Sequence, residues 1–82
     1  MSSNDRREPR HAISVAAHLV GTTPHTLRAY EKAGLIKPAR QGGRNRLYSD
    51  QDIELLRHIT SLTQRGVTLD GIKVKLGLGA KR

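Results

Sequence analysis

Cysteine, tryptophan and phenylalanine are absent from this chain of 82 residues, and tyrosine occurs only twice. The absence of cysteine excludes disulfides, thiolate metal sites and thiol redox chemistry within the chain, and it gives no sign of secretion. The scarcity of aromatic residues predicts an aliphatic core, of the kind that packs short helices through Leu, Ile, Val and Ala. At this length we expect one small domain without a deep enzyme cleft.

Long apolar runs and arrangements typical of active sites are also absent. The longest apolar stretches are a few residues, too short for a membrane-spanning helix or the core of a signal peptide, which predicts a cytoplasmic protein without a membrane partner. There is no phosphate-binding GxxxxGK, and the four histidines are scattered without cysteine or convergent aspartate. The sequence therefore predicts no enzyme activity, no cofactor and no metal site.

Positive charge is what this sequence has in excess. Fifteen Lys and Arg residues against seven Asp and Glu residues give a formal net charge of +8 and an isoelectric point near 10.9. Such a balance in a short chain favours a polyanionic partner, because each cation placed on a phosphate releases counterions. The alternative is a basic surface that is merely solvated. Residues 1–12 are expected to be a disordered basic arm and residues 79–82 a tail.

Helix signals divide the stretch between these ends, residues 13–78, into four segments. Ser14 is a plausible N-cap for a first helix that ends at Gly21, and Thr23 with Pro24 starts a second helix that runs to about Ala33. Ser49 with Asp52 resembles a capping box before a helical apolar period that reaches Gly66. Thr68 caps a last helix that ends in a Schellman motif at Gly77 and Leu78.

The segment between the second and third helices predicts a small two-stranded wing. Pro38 prevents helix continuation, and Gly42 with Gly43 allows a tight reversal between two short strands. The predicted fold is therefore mainly α, a winged helix-turn-helix domain with four helices and a two-stranded wing, over residues 13–78.

In a helix-turn-helix the second helix enters the major groove of DNA. Here its groove-facing candidates are His25, Thr26, Arg28 and Ala29, with Lys32 one turn later. Arg28 is the strongest because a guanidinium holds a phosphate or a guanine edge through two bonds. The alternatives are a surface role for His25 and an ion pair of Arg28 with Glu31. Tyr30 is expected to pack in the core, with a hydroxyl that could reach a phosphate. The wing adds four cations and no acid, which suits a phosphate backbone or a narrow minor groove: Lys37, Arg40, Arg44 and Arg46.

These motifs together resemble the MerR family of transcriptional regulators. The resemblance rests on GTTPHTLRAYEKAGLIKPAR, GGRNRLYS, SDQDIELLRHITSLTQRG and VTLDGIKVKL, and it spans about residues 13–76. It implies a winged helix that binds operator DNA as a dimer. It assigns recognition-helix contacts to Thr26, Arg28 and Tyr30, and wing contacts to Arg40, Arg44, Arg46 and Tyr48. Gly43 and Asn45 complete the predicted DNA-binding set. Ala29 departs from the family, since most members carry a second tyrosine there.

Within the family, ISVAAHLVG and GVTLDGIK are most similar to the heat-shock repressors. That similarity implies a cytoplasmic stress-response repressor of chaperone genes, with a DnaK-type chaperone as a candidate co-repressor. The chain ends before the dimerisation helix of longer members, so we expect self-association on DNA only. Two alternatives remain: an excisionase-like or architectural DNA-binding protein that assembles on direct repeats, and an interaction module for RNA or an acidic protein. The interaction module is disfavoured because A-form RNA hides its major groove from a helix.

Overall fold

The structure, a computed structural model, describes residues 5–78, so the predicted tail at 79–82 and the first four residues of the predicted arm lie outside it. Its elements follow in the order β1 (His11–Ala12), α1 (Ile13–Val20), α2 (Pro24–Lys32), β2 (Ala39–Gln41), β3 (Asn45–Tyr48), α3 (Asp50–Gln64) and α4 (Leu69–Lys75). The mainly helical winged fold is confirmed. Within the described range, no helix has the length and apolar composition needed to cross a bilayer.

Three of the four helices begin where the sequence predicts. The Thr23 hydroxyl accepts the Thr26 amide at 3.2 Å, and Thr68 caps α4 in the same way. Ser49 and Asp52 form the reciprocal capping box at the start of α3, with both hydrogen bonds at 3.0 Å. These bonds satisfy amide groups that the first turn of a helix leaves without partners, which is why they locate helix starts reliably.

The predicted cap of α1 is wrong. Ala12, not Ser14, occupies the N-cap position, and no side chain caps this helix. The physical reason is that β1 runs directly into α1, so the entry of the chain into the helix is set by strand pairing. Gly21 ends α1 as predicted, in the left-handed conformation at φ 88°.

The sheet contains one strand more than the predicted wing. β3 lies in the centre and pairs antiparallel with β2 on one side and with β1 on the other. The β2–β3 hairpin is the predicted wing. It turns through Gly42 and Gly43, whose positive φ angles of 64° and 76° explain why glycine occupies both positions.

β1 belongs to a segment that the sequence placed in the disordered arm, so the boundary predicted at Ile13 is wrong. The Arg10 amide donates to the Tyr48 carbonyl at 3.1 Å, and Nε2 of His11 donates to the Asp50 carboxylate at 2.6 Å. Arg6 also pairs with Glu54 of α3. Residues 6–12 thus lie as a strap across the start of α3. Short polar segments show no apolar period, and the strap is held by partners far away in sequence.

The core is aliphatic, as predicted, with two buried tyrosines added. Its buried members are Ala16, Ala17, Leu27, Tyr30, Leu35, Ile36, Tyr48, Ile53, Leu56, Ile59, Leu62 and Ile72. α2 contributes Leu27 and Tyr30 to this core, which leaves the opposite face of the helix to solvent. The end of α1 is fixed to α3 because the Arg57 guanidinium donates two hydrogen bonds to the Leu19 carbonyl.

Candidate nucleic-acid interface

The exposed face of α2 carries the side chains that the sequence predicted for it. His25, Arg28, Ala29 and Lys32 are exposed, and Arg28 forms no ion pair among residues 5–78. The expected alternative, a pair between Arg28 and Glu31, is therefore not formed. Thr26 is half-buried, and its hydroxyl accepts a hydrogen bond from Thr23 at 3.1 Å, so it lies at the edge of this face.

The wing presents its charge along an exposed hairpin. Arg40, Gly43, Arg44 and Asn45 are exposed, whereas Arg46 is half-buried. Gln41 faces Asn45 in the strand register, and the Arg44 amide donates to the Gln41 carbonyl at 3.3 Å, which closes the turn. This hydrogen bond closes the tip of the hairpin, and Arg44 is exposed there.

A groove of about 270 Å³ connects the helix to the wing. Arg28 of α2 lines it together with Arg44 and Arg46 of the wing, and its other lining residues are Ala12, Ile13, Gln41, Asn45 and Leu47. Three arginines, from the helix and from the wing, thus line one concave surface. Guanidinium groups bind phosphates and guanine edges through pairs of hydrogen bonds, so the groove is suited to a polyanion that offers both.

Glu31 on α2 carries a carboxylate that the sequence analysis did not assign to the wing. Nη2 of Arg40 donates to Oε2 of Glu31 at 2.6 Å, and Nε of Arg46 donates to Oε1. Partial burial raises the pKa of Glu31, but the hydrogen bonds and charges of Arg46 and Arg40 outweigh it and lower the pKa below its ordinary value. The partners are 9 and 15 residues away, and no local pattern marks the contact.

Both tyrosines are core residues. Tyr30 is 4 % exposed and Tyr48 is fully buried. The Tyr48 hydroxyl has no hydrogen-bond partner within the described part of the chain, and burial raises the pKa of its phenol above the ordinary value. The wing contact that the family resemblance implied for Tyr48 is therefore not accessible in this structure, because the side chain is buried in the core.

A second basic concavity lies elsewhere, between α3 and α4. This cleft of about 540 Å³ is the larger of the two, and it is lined by His58, Leu62, Arg65, Val67 and Lys75. None of the site residues predicted from the sequence contributes to it. The smaller groove between α2 and the wing is the better candidate, because it brings together groups that the helix-turn-helix pattern singled out independently.

Lys73 of α4 is a further cation that the sequence analysis did not place near the site. A Cβ atom on Gly34 would lie 3.4 Å from Nζ of Lys73, so this ammonium is beside the turn that follows α2. A cation near the C-terminal end of a helix is favourable to the helix dipole.

The described part of the chain offers no candidate metal site. Residues 5–78 contain no group of three His, Asp or Glu side chains arranged to hold a metal ion.

Helices α1 and α2, with α2 exposed beside a β2–β3 hairpin, define a winged helix-turn-helix protein. The family model described as MerR HTH family regulatory protein matches residues 12–77. The chain therefore belongs to the MerR HTH family of regulatory proteins, and the predicted family is confirmed.

Individual relatives agree with this assignment. The chain is 53 % identical over 66 residues to the heat shock protein HspR of Streptomyces coelicolor, a match that covers 79 % of this chain and 44 % of the relative. It is 39 % identical over 67 residues to the HTH-type transcriptional regulator MlrA of Salmonella typhimurium, covering 80 % of this chain and 28 % of the relative. It is 32 % identical over 73 residues to the HTH-type transcriptional regulator GlnR of Bacillus anthracis, covering 89 % of this chain and 57 % of the relative. The chain thus spans 28 % to 57 % of the length of these relatives.

Proposed function

We propose that this chain is a sequence-specific regulator of transcription that binds double-stranded DNA through α2 and the wing. The observation that carries the proposal is the groove in which Arg28 of α2 meets Arg44 and Arg46 of the wing. A helix with its side chains is about 10–12 Å across and the major groove is about 12 Å wide, so α2 can enter it. The wing then lies over the adjacent backbone.

Each part of this surface has a distinct role in the proposal. Arg28 and His25 near the start of α2 read base edges, since this end of a recognition helix lies deepest in the groove. Arg40, Arg44 and Arg46 bind phosphates, with Gly43 and Asn45 at the wing tip approaching the backbone closely. Thr26, at the rim of the helix face, contacts a phosphate or a base edge. The chain acts by binding and not by catalysis.

The regulated genes are proposed to be chaperone and heat-shock genes, with the chain as a repressor in a stress response. The support is the identity to HspR of Streptomyces coelicolor, whose name describes a heat shock protein. Self-association on DNA, a cytoplasmic location and a DnaK-type chaperone as co-repressor belong to the same proposal. A footprint with inverted half-sites supports a two-fold arrangement, whereas a series of direct repeats supports the architectural alternative.

The test is a selection of tight-binding duplexes from a random pool, followed by titration of the selected duplex and a scrambled duplex. We expect Arg28→Ala to weaken binding to the selected duplex by about 1–3 kcal/mol, because a bidentate base contact is lost, and to change binding to the scrambled duplex little. Arg65→Ala is the matched control, since Arg65 lies outside the groove between α2 and the wing.

The control should change both affinities by the same factor. Equal losses for Arg28→Ala on the two duplexes would make Arg28 a phosphate contact only. A wild-type chain that prefers no duplex in the pool would overturn sequence-specific binding itself.

A further inference from the structure

Glu31 is the only acidic residue between Pro24 and Arg46, a segment that contains six Lys and Arg residues. It lies on the helix proposed to enter the major groove, where a carboxylate would repel phosphates. A carboxylate in this position therefore weakens the attraction of the surface for a polyanion. The contacts of its two oxygens indicate what compensates for that weaker attraction.

The two carboxylate oxygens of Glu31 connect α2 to both strands of the wing. Oε2 accepts from Arg40 of β2, and Oε1 accepts from Arg46 of β3. Arg40 and Arg46 are directly opposite in the strand register, a position in which two like charges repel each other. Glu31 neutralises part of that repulsion and at the same time fixes the hairpin relative to the helix.

The geometry at Arg46 shows how this contact shapes the groove. Arg46 uses Nε for Glu31, which leaves both of its Nη groups for another acceptor. Arg46 also lines the groove that contains Arg28. Its side chain is 24 % exposed, and the Glu31 side chain is 20 % exposed, so the pair is partly shielded from water and keeps a defined orientation.

We propose that Glu31 is a positioning residue, which holds Arg46 and Arg40 at a fixed place relative to α2 and thereby raises sequence specificity while lowering general phosphate attraction. This inference rests on the proposed DNA binding and deepens it. Fixed arginines contact phosphates in only one register of the helix in the groove, so a wrong register loses these contacts. Released arginines would follow the backbone in any register.

The proposal predicts that loss of Glu31 changes the affinities for the selected and the scrambled duplex in opposite directions. Neither a purely stabilising role nor a purely electrostatic role of Glu31 would produce that result. If Glu31 only stabilised the fold, its loss would weaken binding to every duplex. If it only supplied negative charge, its loss would strengthen binding to every duplex. The fold does not depend on this pair, because α2 is anchored by the buried side chains Leu27 and Tyr30, and partly exposed ion pairs contribute little to stability.

The experiment compares Glu31→Gln with the wild-type chain on the selected and scrambled duplexes over a series of salt concentrations. We expect affinity for the selected duplex to fall about tenfold, as for the loss of one hydrogen bond to a charged group, and affinity for the scrambled duplex to rise. On the scrambled duplex the slope of log affinity against log salt should steepen by about one unit for each arginine released onto a phosphate. Glu54→Gln, which makes the same change on α3, should shift both affinities in the same direction.

Arg46→Lys provides the second arm, because it keeps the positive charge but cannot hold Glu31 through Nε while offering two Nη groups. We expect it to reduce the preference for the selected duplex, and we expect Glu31→Gln to reduce that preference less in the Arg46→Lys background than in the wild type, because only Arg40 then remains for Glu31 to hold. Additive effects of the two substitutions would overturn the proposal, as would a Glu31→Gln chain that keeps the wild-type preference. If Glu31→Gln lowers the melting temperature, the titrations are made at a temperature at which both the variant and the wild-type chain are fully folded, so that the comparison still decides the question. A wild-type chain without any duplex preference would instead show that the proposed function itself is wrong.

Discussion

Tyr48→Phe removes a hydroxyl that is buried without a hydrogen-bond partner among residues 5–78. A buried polar group left unpaired costs about 1–3 kcal/mol. The void left by one oxygen loses some packing contacts, which offsets part of this gain. We therefore expect the free energy of unfolding to rise by about 1 kcal/mol, which corresponds to an increase in melting temperature of about 4–8 °C for a domain of this size.

The measurement is urea denaturation at neutral pH, followed by far-ultraviolet circular dichroism, together with a thermal scan. The m-value should stay unchanged, because the surface exposed on unfolding is nearly the same. Tyr30→Phe is the matched control, since the Tyr30 hydroxyl is not among the unpaired buried groups and its removal should change stability little. Binding of Tyr48→Phe to the selected duplex should equal that of the wild type.

Two results would refute this reasoning. A lower stability of Tyr48→Phe would mean that the hydroxyl makes a hydrogen bond that the packing of residues 5–78 does not reveal. A normal stability with weakened DNA binding would mean that Tyr48 becomes accessible on the duplex and makes the wing contact that the family resemblance implied.

Two further predictions concern salt and acid. Arg44→Ala should reduce the magnitude of the salt slope by about 0.9 on both the selected and the scrambled duplex, because one phosphate contact is lost, whereas an unchanged slope would place Arg44 off the backbone. The hydrogen bond from His11 lowers the pKa of Asp50 below its ordinary value of 3.8, so the unfolded chain binds more protons in acid and stability is lost as the pH falls through that range. His11→Ala should therefore make the fall of unfolding free energy below about pH 4 shallower, while His58→Ala, an exposed control on α3, should leave it unchanged; equal slopes for the two variants would contradict the role of His11.

The parts of the fold that the sequence predicted correctly depend on interactions within a few residues. Thr23 caps α2 through an amide three residues away, and Ser49 with Asp52 does the same for α3. Side-chain caps leave a local signature for this reason. Ser14 carried the same signature and was wrong, because the entry into α1 is determined by pairing of β1 with β3, whose partner residues lie 35 and 37 positions further along the chain.

The candidate site also contains features that follow from local sequence and features that depend on distant contacts. The exposed face of α2 follows from helical periodicity, so Arg28 and His25 lie where the sequence placed them. The role of Glu31 could not be predicted, since its partners reach it only after the hairpin folds back onto the helix. The alternating pattern of a strand does indicate which side chains point inward, but the stretch from Asn45 to Tyr48 is too short for that pattern to have identified Tyr48 as buried.

The strap at residues 6–12 has a practical consequence for anyone who expresses or engineers this chain. β1 covers the side of β3 that would otherwise be an open sheet edge, and uncovered edges promote pairing between molecules. Trimming the chain to the helices and the wing would expose the main-chain groups of β3 that His11 and Ala12 now occupy. An affinity tag or fluorescent fusion at the amino terminus should therefore be joined ahead of Arg6, so that the strap remains intact and the preparation stays free of edge-to-edge aggregates.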